Sequence, residues 1–314
     1  MAMVLVSVVM CSYNHEKYIA QAIESVLNQT FKDLELIIID DYSTDNSRVI
    51  IENYQAKDDR VKAYFHPKNM GIAATTNDCL KKVQGKFVSF LGSDDLWMQQ
   101  KLERQLAVLR GNEERLVWAD GLIVNAEGIP TGETIAHYIG ATNRSGRLFE
   151  ELLHEHCISF QTLIFNAEYA KGLELDESLK YVSDHRFIVE LSKKYSFYFI
   201  NEPLAKYRVH GKNITSRDMA AWMKERIKLR QHFLNEYSSM MSTRTRADIY
   251  HKIGHAYAML GYPLSAKHYY MKAFYANHFN PNSALYFILA ATAGKKYSGE
   301  SITKMYYRFL SRLA

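Results

Sequence analysis

Over residues 4–97, short apolar runs rich in β-branched residues alternate with stretches of helical periodicity, and this alternation narrows the possible folds more than any other feature. "VLVSVVM", "LELIIID", "VKAYFH" and "KFVSFL" read as buried strands. Between them, "KYIAQAIESVLNQ" places Ile19, Ile23, Val26 and Leu27 at helical spacing, and "SRVIIENYQ" and "IAATTNDCLKKV" are also helical. Strands alternating with helices pair in parallel through right-handed crossovers, so an open α/β sheet with helices on both faces is expected. Ligands of such sheets bind beyond the carboxyl ends of the strands. The polar clusters "SYNHE", "DDYSTD" and "GSDD" all fall at those ends.

From 101 to about 210 the pattern is mixed. "WMQQKLERQLAVLRG" reads as a helix stopped by Gly111, "RLVWADGLIVN" as strand, turn, strand, "HRFIVELSKKY" as a helix and "SFYFINEPLAKYRVHG" as an extended segment. Beyond Ser216 the chain reads as helical to its end, interrupted by Pro263 and Pro281. The expected division is therefore a domain over 1–215, with halves 1–100 and 101–215, and a helical region over 216–314. Tyr250, Ile253, Gly254, Tyr257, Ala266, Tyr270 and Ala273 stand at tetratricopeptide-repeat spacing. One such helix pair is either an ordinary hairpin packed on the chain or a module for dimerisation or docking. The final "SITKMYYRFLSRLA" puts Ile302, Met305, Tyr306, Phe309 and Leu310 on one face. That face suits either an anionic membrane surface or the protein's own hydrophobic groove.

Composition restricts the function classes. A net charge of +5 and 23% charged residues suit a nucleotide or an anionic membrane surface and are too weak for a nucleic-acid binder. Cys11, Cys79 and Cys157 form no CxxC spacing, so neither a zinc site nor a disulfide framework is indicated. The opening residues lack a basic n-region, and no apolar run reaches the roughly 20 residues a membrane span needs. A cytoplasmic protein, peripheral at the inner face of the plasma membrane, is expected.

Three motifs bear on chemistry. In "DYSTDNSRVIIE", Asp41, Ser43, Asp45 and Glu52 match EF-hand ligand positions, but Asn46 stands where the loop needs glycine and a strand precedes it. The stretch reads better as an Asx turn and helix cap, with Asp45 or Ser47 accepting backbone N–H groups. Asp40 and Asp41 are left at the strand tip. In "SFLGSDDLW", Asp94 could cap a helix starting near Leu96, yet the second acid remains. Adjacent carboxylates at a strand end can instead hold Mg²⁺ or Mn²⁺ with positions open to phosphate oxygens. No glycine occurs in "MCSYNHEKY", which argues against a dinucleotide-binding oxidoreductase.

These segments, with "NMGIAATTND", "YVSDHRFIVEL" and "EPLAKYRVHGKNIT", together resemble the family 2 glycosyltransferases of GT-A fold. The resemblance covers about two thirds of the chain. It implies an α/β fold with a GT-A type, open, mostly parallel sheet flanked by helices, and a C-terminal helical extension. It also implies an inverting, nucleotide-sugar-dependent glycosyltransferase using UDP and Mn²⁺ or Mg²⁺. The acceptor it suggests is a glycan or lipid-linked glycan in bacterial surface polysaccharide synthesis. By the same resemblance Tyr13 and the backbone near Cys11 line the base pocket, Asp41 accepts from the base and Asp40 supports the loop. Asn14, Glu16, Asn69, Gly71 and Ser93 join the nucleotide-binding set, and Asp94 lies by the donor sugar or the metal's water shell. Asp95 and His210 match metal ligands, and Asp184 matches the catalytic base. From the residues alone, Asp184 could equally cap its helix and His210 could be a solvated loop histidine. Where the family often carries Arg, this chain has Thr76, which leaves Lys68, Lys86 or Arg208 to neutralise phosphate. "HEH" at 154–156 reads as a surface or acceptor-groove feature. The alternative to an enzyme is a non-catalytic nucleotide-sugar-binding scaffold working through its helical region.

Overall fold

In a computed structural model, which describes residues 4–138, 144–155, 158–211, 213 and 218–277, the first apolar run forms strand β1 (Val6–Ser12), buried on both faces except at Cys11. A strand covered on both sides carries a continuous apolar run, and β2 (Leu34–Asp40) follows the same rule. β3 (Val61–Phe65), at the sheet edge, alternates buried and exposed residues instead. Between them α1 (Ile19–Leu27) buries Ile19, Ala22, Ile23, Val26 and Leu27, and α2 (Ser47–Gln55) buries Ile51. α3 (Ile72–Leu80) leads into β4 (Phe87–Phe90).

β1 pairs in parallel with both β2 and β4, while β3 pairs in parallel with β2. The chain therefore winds outward through β2 and β3, then crosses back to the far side of β1. The strand order reverses between β1 and β4, and such reversals open the ligand crevice of α/β sheets.

Beyond β4 the sheet is mixed. β5 (Leu96–Trp97), α4 (Lys101–Gly111), β6 (Arg115–Val124), β7 (Pro130–Thr134), β8 (Ile164–Asn166) and β9 (Ser196–Arg208) complete nine strands in the order β3-β2-β1-β4-β8-β6-β9-β5, with β7 on β6. β4–β8, β6–β8, β6–β7 and β5–β9 are antiparallel, and β6–β9 is parallel. Two expectations are corrected here. "RLVWADGLIV" is one strand whose register shifts around Asp120, because β9 and β8 flank it and absorb the polar "ADG" as a bulge. Leu96 and Trp97 are strand rather than helix, and α4 starts only at Lys101, so Asp94 caps no helix there.

A buried polar cluster anchors α4 beneath β4. The Lys101 ammonium donates to Ser89 Oγ (2.9 Å) and Gln105 Oε1 (2.7 Å) and lies 3.8 Å from the Trp97 ring centroid. Burial pushes its pKa well below the usual lysine value.

The chain divides into two units, Met1–Phe149 with His156–Asn213, and Glu150–Glu155 with Ile214–Ala314. In the second, Glu150 accepts from Ser242 N (3.0 Å) and Ser242 Oγ (2.6 Å), a tie that a boundary read along the sequence misses. Among its described residues are three long helices, α5 (Met219–Glu236), α6 (Thr243–Met259) and α7 (Pro263–Ala276). α6 and α7 are the pair with repeat-like spacing. A Cβ at Gly254 would sit 2.8 Å from Tyr270 Cδ1, so glycine sets how closely the helices approach. Glu155 pairs with Lys252 (3.2 Å) and His154 O accepts from Arg230 (3.2 Å), so these two residues are tied into the helices. His156, Cys157, Pro281 and the terminal amphipathic segment lie outside the described residues. No helix among the described residues is long and apolar enough to cross a membrane.

Candidate active site

The carboxyl end of β4 runs into a turn closed by Asp95 N donating to Gly92 O (3.1 Å). β5 follows at once, and its pairing of Leu96 with Lys206 draws the end of β9 alongside. Arg208 N consequently donates to Asp95 Oδ1 (2.8 Å), and two residues on His210 Nε2 lies 3.1 Å from Asp94 Oδ2. The loop after β1 arrives across the strand reversal. There His15 Nδ1 is 2.7 Å from Ser93 Oγ, and His15 Nε2 is 3.8 Å from Asp94 Oδ2. Tyr18 stacks on His210 at 4.8 Å between centroids. Residues 78 and 116 positions apart in the chain thus meet at the crevice where the strand order reverses.

The two acids are electrostatically unequal. Burial works to raise the Asp94 carboxyl, but the hydrogen bond with His210 and the charges of His15 and His210 outweigh it, holding it below the usual range. Burial, and then the charge of Asp94, push Asp95 well above that range despite the bond from Arg208 N. Ionising both acids side by side is therefore costly, and a cation beside them would lower that cost. Ligand atoms of His15, Asp94 and His210 all lie within 4.8 Å of one another, the convergent set found among the described residues. Two imidazoles and a carboxylate fit a divalent ion. Asp95, expected as a ligand, is 4% exposed and stands behind this set with Oδ1 on Arg208 N.

The β1 and β2 loops interlock. Asn14 takes a positive φ of 56°, held by its side-chain oxygen accepting from Thr44 N (2.8 Å). Glu16 accepts from Asn46 N (3.0 Å), and Asp45 accepts from Glu16 N (3.0 Å) and Ser47 N (2.9 Å). Asp40 accepts from Ser43 N (2.8 Å) and Ser43 Oγ (2.5 Å). Asp41, 4% exposed, accepts from Met70 N (2.7 Å) and Gly71 N (2.8 Å), while Asn69 donates to Asp41 O (3.2 Å). These carboxylates point at separate backbone groups, so the EF-hand positions do not converge among the described residues. Tyr13 is 42% exposed beside them, and Tyr42, with φ 67°, is 53% exposed. Among the described residues, the non-glycine positive-φ positions are Asn14 and Tyr42, at these two strand ends.

Arg208 is engaged by the fold. Its guanidinium donates to Asp94 O (2.8 Å), Ala126 O (2.7 Å) and Gln21 Oε1 (2.8 Å), stacks over Tyr18 and is 1% exposed. In this structure it holds the Asp94–Asp95 turn. Lys86 precedes β4, at the opposite end of the strand from the crevice, and pairs with Glu113 (2.6 Å). Only Lys68 of the three lies on a crevice-side loop. Thr76, where an Arg was missed, is buried with Oγ1 3.3 Å from Cys11 Sγ.

Asp184 stands in the first turn of the helix Ser183–Ser192, whose cap is Val182, and its Oδ1 accepts from His185 N (2.7 Å). One turn on, Phe187 packs edge-on against Phe160, which stacks on Phe90 at the end of β4. His15, His66 and Tyr18 were not singled out from sequence. His66 Nδ1 is 2.9 Å from Asp41 Oδ1 and its Nε2 3.3 Å from Asp78. Their position in polar loops at strand ends was the available signal.

Residues 7–173, just over half of the chain, match the profile of Glycosyl transferase family 2. TuaG of Bacillus subtilis, named as a teichuronic acid biosynthesis glycosyltransferase, is 30% identical over 73% of this chain and 90% of its own. An uncharacterized glycosyltransferase of Haemophilus influenzae is 44% identical over 41% of this chain and 51% of its own. Among solved structures, S. aureus TarS 1-349 in complex with UDP-GlcNAc superposes with a TM-score of 0.61 at 18% identity, over 94% of this chain and 93% of that one. The mannosyltransferase PcManGT of Pyrobaculum calidifontis, in complex with GDP-Man and Mn²⁺, gives 0.54 at 15% identity, over 96% and 83%. At such identities the structures speak to the fold.

Proposed function

The chain belongs to glycosyl transferase family 2, and from that premise we propose that it transfers a sugar from a UDP-sugar to a hydroxyl of a lipid-linked or oligosaccharide acceptor, with inversion. The observation that carries the reading is the Asp94 carboxylate held beside two imidazoles where the strand order reverses between β1 and β4. UDP as nucleotide is supported by the UDP-GlcNAc complex of TarS, and a role in surface polysaccharide synthesis by the name of TuaG.

In this reading Tyr13 packs against the base, and Asp41 offers it a remaining lone pair while bracing the Met70–Gly71 turn. Asp94 and His210 would hold Mn²⁺ or Mg²⁺, with Asp95 behind them. When bound, the ion neutralises charge that develops on the departing diphosphate. Asp184 accepts the proton of the acceptor hydroxyl as its oxygen bonds to the anomeric carbon and the bond to the diphosphate breaks on the opposite face. Such general-base help is worth about 10²–10⁴-fold.

Screening hydrolysis of UDP- and GDP-sugars with Mn²⁺ tests the reading without knowing the acceptor. Absence of both slow hydrolysis and nucleotide binding would reject it. With an active donor in hand, Asp184→Asn should cut transfer by about 10²–10⁴-fold at unchanged UDP affinity. Unaltered turnover would remove Asp184 from the role of base.

A further inference from the structure

The mechanism above gives the ion to Asp94 and His210 and leaves His15, built into the same crevice, without a role of its own. Its backbone N–H donates to Ser47 Oγ (2.9 Å), which fixes where the residue leaves the β1 loop. Its ring is 20% exposed and stands at 82° to that of His210, with centroids 5.9 Å apart. Ser93 Oγ meets Nδ1 at 2.7 Å and so can fix the tautomer that carries its proton on Nδ1. The lone pair of that tautomer is on Nε2, the atom turned toward Asp94. At 3.8 Å this pair is too long for a hydrogen bond. It falls between the spacings of about 3 Å and about 4.2 Å that adjacent and opposite donors take on one ion with bonds near 2.1 Å, so both atoms can reach one ion.

We propose that His15 is a third protein ligand of the cation, oriented by Ser93, and that the resulting set of two imidazoles and one carboxylate selects Mn²⁺ over Mg²⁺. The selectivity follows from donor chemistry. Mg²⁺ prefers oxygen donors and keeps its waters, whereas imidazole suits first-row transition ions. A site of Asp94 and His210 alone would offer one imidazole and discriminate less. The proposal rests on the glycosyltransferase reading for the nucleotide that completes the ion's coordination, but its central claim concerns this chain's own side chains.

Mn²⁺ binding to the full chain, followed by the EPR signal of free Mn²⁺ with UDP present and Mg²⁺ as competitor, gives a readout independent of turnover. Wild type should retain Mn²⁺ against at least a hundredfold excess of Mg²⁺, and pulsed EPR should show nitrogen modulation from two imidazoles. His15→Ala should lose one of the two nitrogen couplings and weaken Mn²⁺ by more than tenfold, with its preference over Mg²⁺ reduced. Ser93→Ala should keep both couplings and weaken Mn²⁺ by about 10–100-fold, as for residues that only orient a ligand. His15→Gln replaces the alanine variant if that one does not fold. Equal Mn²⁺ affinity in wild type and His15 variants, or coupling from one imidazole in wild type, would overturn the role of His15 while UDP binding left the broader reading intact. A wild type that binds neither Mn²⁺ nor UDP would overturn both.

Discussion

Replacing Arg208 with Lys separates two roles that the sequence could not. The guanidinium makes three buried hydrogen bonds of 2.7–2.8 Å, to Asp94 O, Ala126 O and Gln21 Oε1. A lysine ammonium is a point donor on a flexible stem and cannot span three acceptors that a planar fork meets. If it keeps one, two bonds from a charged donor are lost, each worth about 1.5–3 kcal/mol. The expected destabilisation is about 3–6 kcal/mol, large against a typical total of about 5–15 kcal/mol. Urea unfolding followed by the fluorescence of Trp97 and Trp118 measures it, and UDP affinity with Mn²⁺ should fall too because the Asp94 turn loosens. A loss below about 1 kcal/mol, with affinity alone reduced, would show that Arg208 faces ligand and would refute the assignment.

Two further outcomes are expected. Burial, then the charges of His255, Lys252 and Arg230, push His251 down to about 3, so the folded chain leaves it neutral where the unfolded chain protonates it. Its contribution is therefore present above about pH 6.5 and lost on acidification toward 3, at up to about 1.4 kcal/mol per pH unit. The difference between melts of wild type and His251→Gln isolates this slope, and parallel pH profiles would contradict it. Gly85→Ala should cost about 3 kcal/mol, since its Cβ would lie 2.6 Å from Ser7 N and 2.8 Å from Val6 C in the β1 backbone. A thermal melt unchanged from wild type would show that β1 yields there.

Much of the site's location was legible because strand ends in a doubly wound sheet are predictable from alternation alone. "SYNHE", "DDYSTD" and "GSDD" lie on loops at one edge of the sheet, as the alternation required. The role of Arg208 was not legible. A Tyr-Arg-x-His segment looks the same whether the guanidinium faces a phosphate or a carbonyl, and only the β5–β9 pairing decides. Nor was His15, whose significance depends on two residues far along the chain. The start of α4 was misplaced for a related reason. Leu96 and Trp97 carry no helix-breaking residue, but β9 offers them strand partners, and tertiary pairing overrides local preference.

From the residues alone, then, came the α/β class, the parallel winding of the first four strands and the edge of the sheet where polar loops gather. Periodicity and turn chemistry are local, and a chain reveals them without folding. Which acid stands between the histidines, and which cation is buried as a brace, depended on side chains about 80 and 115 residues apart being brought within a few ångströms. Desolvation and pairing act on distances in space, so only the folded chain could assign them.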